Sequence, residues 1–516
     1  MKKILSLLIS AVVIISIFTA LPLSAGATEL NDFEYDVLAN GTIVITDYKG
    51  KDTNVTIPGK IDGHKVSTIG SLSFAFNKTV ESVAIPESVT SIGSDAFSYC
   101  ESLKKVEIPE SVTTIRSDAF SFCESLVDIT LPSKIQSVED RVFFFCTSLK
   151  SINIPEKINY IGVNSFANCD SLERISMPDS VRILGACAFY NCESLKSVRL
   201  SKNITVLPKS VFEKDTSLSQ ISIHSKITKI GEEAFENSGL ESVLIRKNVK
   251  TIGKYAFSNN TKLKSITVDK KNKNYSSKSG VLYNKKKTNL ITYPSGKTAK
   301  KFTTPKTVTK ISARAFYRNY KLKSVKLSKG LTTIEKRAFY ESAIKKAGLP
   351  STLKKIGDLA FMNCEKLETV NVPTSVTKIS SYAFRNCNSI KTLSFKGNSK
   401  LTLGSMVFAD CSSLKNLKYP ELKSSKGYTF SNCKNLSKVY FYKNAKKIYK
   451  KDFTDCPNLN TITIPKTVKS IAAKALGYVN EYDGEYDKNY SLVIKGEKNT
   501  AAYKYAKDNG FTFKKA

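Results

Sequence analysis

Histidine is almost missing from this 516-residue chain, which has two. His224 stands where earlier repeats carry Pro86, Pro109, Pro132, Pro155 and Pro178, and His64 lies in the loop Asp62-Gly63-His64, so both read as turn residues. No H-E-x-x-H, G-x-S-x-G or phosphate-cradling glycine loop is present, which leaves no motif for zinc peptidase, serine hydrolase or nucleotide chemistry. Paired carboxylates are in principle able to hydrolyse sugars. Here the acids recur with a repeat, as at Asp95 and Asp118 or Glu101 and Glu124, and solvated turns account for them. Cys187 and Cys192 have no adjacent histidine and no C-x-x-C pair to complete a zinc set. An enzyme, a cofactor and a bound metal are therefore not expected. Beyond the N-terminus no apolar stretch is long enough to span a bilayer.

What the chain has in abundance is one phrase. Residues 89–111 read VTSIGSDAFSYCESLKKVEIPES and residues 112–134 read VTTIRSDAFSFCESLVDITLPSK. The phenylalanine of this 23-residue unit falls at Phe74, Phe97, Phe120, Phe143, Phe166, Phe189, Phe212, Phe235 and Phe257, then at Phe316, Phe339, Phe361, Phe384, Phe408, Phe430 and Phe453, with Leu476 closing the series. A period of this length is the mark of a solenoid.

Within one unit Ile115, Ala119, Phe120, Leu126, Ile129 and Leu131 are expected to share an interior. Leu126-x-x-Ile129-x-Leu131 reads as a short strand stopped by Pro132, residues 112–115 as a second strand, and residues 117–123 as one tight helical or 3₁₀ turn. No coil can bury its own apolar face, so the expected fold is a β-rich solenoid of parallel stacked coils, capped at both ends. At roughly 4.8 Å per coil the seventeen units would extend on the order of 80 Å.

The motif L-x-x-[IV]-x-[IL]-P followed by V-x-x-I-G-x-x-A-F-x-x-C resembles the BspA-type leucine-rich repeat of bacterial surface proteins, over about residues 69–476. The resemblance implies a secreted or surface-exposed protein, with binding to host matrix proteins or aggregation between cells among the roles found in similar proteins. It supplies no catalytic residues.

Lys2 and Lys3, an apolar run over residues 4–23 and Ala25-Gly26-Ala27 read as a secretory signal peptide over 1–27, with the mature chain starting at Thr28. The expected location is extracellular, with any attachment to the cell wall non-covalent. Residues 28–66 depart from the repeat and read as an N-terminal cap, in which Phe33, Tyr35, Ile43 and Ile45 alternate around Asn40-Gly41. The solenoid proper is assigned to 67–476 and a C-terminal cap to 477–516, with a strand over 491–495, a short helix over 500–508 and Gly510 as its stop. Glu481, Asp483, Glu485 and Asp487 form an acidic run without EF-hand spacing and read as a solvated loop. An expanded unit occupies about 264–309, where 280–284 and 289–294 read as a hairpin with Lys285, Lys286 and Lys287 at its tip.

Eleven cysteines in an exported chain ordinarily suggest disulfides. Ten of them, however, occupy one slot of the coil that elsewhere holds Asp215, Ser238, Asn260, Asn319 and Ser342. A slot that accepts Cys, Ser, Asn and Asp asks for a small group that bonds buried turn backbone, so reduced structural thiols are expected.

Charge divides the chain. Residues 28–240 hold 21 Lys and Arg against 28 Asp and Glu, a net of −7; residues 241–516 hold 57 against 17, a net of +40. The slot after the strand leucine carries Lys264, Lys323, Lys345, Lys391 and Lys415, with Lys321, Lys326, Lys418, Lys434 and Lys438 in nearby outward slots, and Tyr440 and Tyr442 beside them. Lysines stacked at coil spacing lie within the ~8 Å Debye length and repel one another, and a polyanion would relieve that repulsion. These twelve residues are the candidate ligand-binding face. The expected function is non-enzymatic binding or adhesion, to a host matrix or surface protein or to an anionic wall or glycan polymer. Nucleic acid is not expected as a specific partner. A passive wall-associated spacer is the alternative, and a cryptic hydrolase is disfavoured by the missing motifs.

Overall fold

The computed structural model describes residues 30–396, 400–480 and 486–516. The leader, and Glu481, Asp483 and Glu485 of the acidic run, lie outside the described residues.

Most coils contribute two short strands, which pair with their equivalents one coil away; the coil with Ile221 and Ile223 lacks the second. Thr114–Ile115 lies beside Ser91–Ile92 with Ile92 opposite Ile115, and Asp128–Thr130 lies between Lys105–Glu107 and Ser151–Asn153 with Ile129 opposite Val106 and Ile152. All these pairings are parallel and in register, so every apolar slot stacks on itself and the chain forms a parallel β-solenoid. Ile115, Ala119, Phe120, Leu126, Ile129 and Leu131 are all buried.

The third side of the coil differs from the expected helical or 3₁₀ turn. Asp118 and Phe122 have φ of 60° and 59°, which no right-handed helical turn contains. Ala119, Ser121 and Cys123 N–H groups donate back three residues, to Arg116, Asp118 and Phe120 carbonyls at 3.3, 2.9 and 3.3 Å. The alternate N–H groups of Asp118, Phe120 and Phe122 donate to Asp140, Val142 and Phe144 of the next coil at 3.0, 3.0 and 2.6 Å. Turns with a positive φ at their third residue thus follow one another, and the intervening amides join coil to coil. A helix would have directed every amide along its own axis and left neighbouring coils unpaired.

Side-chain stacking runs through the same turn. From Tyr48 and Phe74 to Phe257 the inward rings stack at centroid separations of 4.9 to 5.8 Å. The cysteines form a second column. Cys123 Sγ donates to Phe97 O at 3.1 Å and Cys146 Sγ to Phe120 O at 3.2 Å, and all eleven cysteines are free. Asn260 makes the equivalent bond to Phe235 O at 2.9 Å, and Asp215 accepts from Cys192 N at 2.9 Å.

The columns break at one place. Tyr275–Lys278, Val281–Asn284 and Asn289–Thr292 form an antiparallel meander, after which Asn289–Thr292 resumes parallel pairing with Lys310–Ile311. Strand alternation makes the meander a partition: Leu282 packs into the core of the coils before it, and Val281 and Tyr283 into the core of the coils after it. The ring stack restarts at Tyr293, 5.1 Å from Phe316.

At the N-terminal end Phe33–Val37 pairs antiparallel with Ile43–Tyr48 across Asn40-Gly41, and Ile43–Tyr48 pairs parallel with His64–Ile69. At the other end Val493–Gly496 lies between Thr461–Thr463 and Thr512–Lys515, with helix Ala501–Asn509 stopped by Gly510 at φ 72°.

Candidate functional site

The slot after the strand leucine forms an outward column in which amides from Lys323 to Lys391 donate to the carbonyl of the same slot one coil back. Lys345 N donates to Lys323 O, Glu368 N to Lys345 O and Lys391 N to Glu368 O, at 2.9, 2.9 and 3.0 Å. The column is not uniformly basic. Glu368 interrupts it and holds Lys345 Nζ at 3.7 Å, and Lys264 Nζ is held by Glu241 at 2.8 Å. The same device recurs earlier, with Lys104 on Glu81 at 2.8 Å and Lys196 on Glu173 at 2.9 Å. Two of the twelve face residues thus have their charge partly answered within the chain.

Lys321 donates to Gly296 O of the preceding coil and Lys323 to Tyr320 O of its own, both at 3.3 Å. Lys326 ends the strand Ser324–Lys326 opposite Thr303. Lys391, Lys415 and Lys434 are exposed.

The tightest grouping lies on the strands Asn416–Tyr419 and Lys438–Phe441. Lys418 is directly opposite Tyr440, Lys438 N donates to Lys415 O at 3.2 Å, and the Lys418 ammonium sits 4.2 Å from the Tyr442 ring centroid. Tyr440 is 56% exposed, whereas Tyr442 is half-buried and serves as the platform under Lys418. Lys438 and Tyr440 form one rim of a shallow hollow of about 500 Å³ whose other side is Thr461, Thr463 and Pro465. Such a surface offers ammonium groups for anions and an open phenol for stacking or hydrogen bonding.

Beneath it lies a buried network that gives no signal in the repeat pattern. Tyr419 hydroxyl donates to Asp452 Oδ2 at 2.6 Å, and Asp452 also accepts from Thr429 N at 3.0 Å and Tyr449 N at 3.2 Å. Burial raises the Asp452 pKa, and these donors draw it back.

A second basic surface was not anticipated. Where the meander interrupts the coil, a groove of about 710 Å³ opens, lined by Lys254, Tyr275, Arg314, Lys336, Lys355 and Lys378, with Glu335 and Asp358 as acids. Lys355 and Lys378 are direct neighbours in the parallel ladder, a like-charge pairing that costs stability. They occupy the strand before the glycine slot, one face away from the lysines singled out by sequence. The signal that would have found them is a lysine directly before the strand isoleucine, which recurs at Lys310, Lys355, Lys378 and Lys447. Among the described residues no helix is long and apolar enough to cross a membrane.

The family model described as BspA type leucine rich repeat region (6 copies) matches residues 67–196, 183–300, 293–414 and 398–482. Among solved structures, a leucine rich cell surface protein from Faecalibacterium prausnitzii is 24% identical, covering 93% of this chain and 97% of its own, with a TM-score of 0.38. A leucine-rich repeat protein from Bacteroides ovatus is 22% identical, covering 90% and 98%, with a TM-score of 0.44. The pneumococcal vaccine antigen PcpA is 19% identical over 94% and 97%, with a TM-score of 0.38. Among curated proteins none matches the sequence.

Proposed function

Because this chain belongs to the BspA-type leucine-rich repeat family, we propose that it is a non-enzymatic binding protein, exported from the cell, that holds an anionic polymer or an acidic protein surface on its basic second half. The observation that carries this reading is the patch of Lys415, Lys418 and Lys438 around the exposed Tyr440. Among the described residues these ammonium groups have no acidic partner, in contrast to Lys264 and Lys345. Solubility alone does not require an exposed tyrosine among them. Export rests on the leader pattern at residues 1–27, and the non-enzymatic reading rests on the absence of catalytic motifs from the sequence.

The deciding experiment is binding of the full mature chain to purified cell walls, a sulfated glycan and a matrix glycoprotein across a salt series. Saturable binding that persists at about 0.15 M ionic strength supports recognition. Uniform release by salt, with no saturable component, would leave a charged spacer and defeat the proposal.

A further inference from the structure

The acidic first half carries a feature that neither its charge nor its fold requires. Two residues after the inward phenylalanine, every coil has a residue in the left-handed region. Later coils fill this slot most often with asparagine, as at Asn168, Asn191, Asn237, Asn259, Asn363, Asn386 and Asn432, and otherwise with Asp410, Asp455, Lys214, Arg318 and Glu341, with φ between 49° and 68°. Asparagine tolerates that conformation; bulky side chains are disfavoured there. Yet the first four coils place Phe76, Tyr99, Phe122 and Phe145 in it, at φ 62°, 58°, 59° and 59°. The chain's own later repeats show that the fold is built without these rings.

The four rings stack on the outside of the solenoid. Phe76 to Tyr99, Tyr99 to Phe122 and Phe122 to Phe145 are 4.9, 4.2 and 4.9 Å apart, with planes within 11°. Phe144 closes edge-on against Phe122 at 5.3 Å, and Arg141 lies over the Phe144 ring. Phe76 is 62% exposed and Leu72, in the same coil, 57%. Since the ring faces are spent on one another, what solvent meets is a ridge of ring edges. A sugar needs an open aromatic face to stack on, and the stack leaves only its two end faces, on Phe76 and Phe145.

Acids flank the two middle rings, whereas the same slots hold Leu72 and Lys78 beside Phe76 and Arg141 and Thr147 beside Phe145. Asp95 and Asp118 precede Tyr99 and Phe122 by four residues, and Glu101 and Glu124 follow them by two. Burial pushes the Asp118 carboxyl up, Arg141 draws it back, and the charges of Asp95 and Asp140 push it up again. Arg141 and Lys78 answer part of this charge, with Arg141 3.0 Å from Asp118 and Lys78 3.5 Å from Glu101.

We propose that the Phe76–Tyr99–Phe122–Phe145 ridge is a docking strip for a cationic polypeptide segment with apolar side chains, which lays its apolar groups along the ring edges and its cations against the acids on either side. The charge of the surroundings selects that occupant over an anionic one. The strip lies in the opposite half of the chain from the basic patch, so the two surfaces would take different partners.

The test uses the full chain and an amphipathic Leu/Lys peptide of about 18 residues, with a Ser/Lys peptide of equal charge as control, at about 0.15 M ionic strength. The quadruple variant Phe76→Asn, Tyr99→Asn, Phe122→Asn, Phe145→Asn installs the residue that later coils use, so it should melt no lower than the parent. It should bind the Leu/Lys peptide at least about tenfold more weakly. The ring-preserving variant Glu101→Gln, Glu124→Gln should also bind it more weakly, and the Ser/Lys peptide should bind the parent poorly. Equal binding by parent and quadruple variant would overturn the proposal, as would equal binding of the two peptides. A lower melting temperature of the quadruple variant would show that the rings serve the fold. Ridge-dependent dimers seen by sedimentation velocity without peptide would mean that the occupant is a second copy of the chain.

Discussion

Arg314 and Glu236 are 78 positions apart in sequence and meet across the expanded coil, with Arg314 Nη1 2.5 and 2.7 Å from the two carboxylate oxygens of Glu236. The guanidinium also lies 4.0 Å from the centroid of the Tyr255 ring and 3.8 Å from Glu233. Since the apolar core divides at the meander, this clamp is a polar tie between the two core segments. Breaking a shielded pair by removing one partner typically costs about 3–5 kcal/mol, because the other is left uncompensated. Arg314→Ala should therefore lower the melting temperature and, in a linear array held by neighbour contacts, separate one transition into two. Calorimetry giving a single unshifted transition would show that the meander couples the segments without the clamp.

The same pair sets a pH dependence. Burial pushes the Glu236 carboxyl up to about 7, Arg314 draws it down, and Glu233 and Glu213 push it up. An unfolded glutamate titrates at about 4.3, so between these values the folded chain keeps a proton that the unfolded chain releases. Stability from this group is thus full below the unfolded value and falls as pH rises to about 7. Asp215 and Asp452, both buried and both raised, push in the same direction, so the comparison must isolate Glu236. The melting temperature of the parent should fall relative to that of Glu236→Gln between about pH 5 and pH 8. A constant difference would mean that the ionised pair with Arg314 holds throughout the range.

Sequence periodicity alone placed Phe120 in the shared interior and Cys123 in a column bonded to turn backbone, because identical slots one period apart must meet when coils stack in parallel. It placed the lysine column outward for the same reason. It misjudged the turn at Asp118 and Phe122, since a run of apolar and small residues has the same look whether its amides bond within the coil or to the next one. The Arg314–Glu236 tie was illegible because the spacing of 59 from Phe257 to Phe316 breaks the period that relates slot to slot. Equally hidden was the pairing of Lys345 with Glu368, which depends on which coils happen to carry an acid in the lysine slot.

The thiol column should be chemically silent. Ten cysteines are buried, and burial raises their pKa, with Cys100 and Cys411 pushed up to about 12. Cys187 alone is partly open, and burial followed by Glu213 raises it as well. Iodoacetamide at about pH 8 reacts through thiolate, so the folded chain should add at most one label, at Cys187, whereas the denatured chain adds eleven. Intact mass measures both. Labelling of several column cysteines under native conditions would mean that coils open readily, and failure of the reduced denatured chain to reach eleven would point to modified thiols. Cys146→Ala should destabilise by about 0.5–1.5 kcal/mol, since Phe120 O loses one of its two donors and keeps the Cys123 N–H.

Binding by the basic patch can be separated from binding by bulk charge. Lys415, Lys418 and Lys438 sit together, whereas Lys264 and Lys345 are tied to Glu241 and Glu368. Each lysine that neutralises a polymer charge releases a counterion and adds roughly 0.9 to the slope of log K against log salt for a densely charged polyanion. Lys415→Gln, Lys418→Gln and Lys438→Gln together should therefore flatten that slope by about two to three units for a sulfated glycan. Lys264→Gln with Lys345→Gln removes comparable formal charge but frees Glu241 and Glu368 from their partners, and should change the slope less. Tyr440→Ala should leave the slope alone while weakening binding, because an uncharged ring releases no counterion. These side chains are at the surface, so all three variants should melt close to the parent. Equal flattening by both lysine sets would mean that the polymer sees only the net charge of the second half.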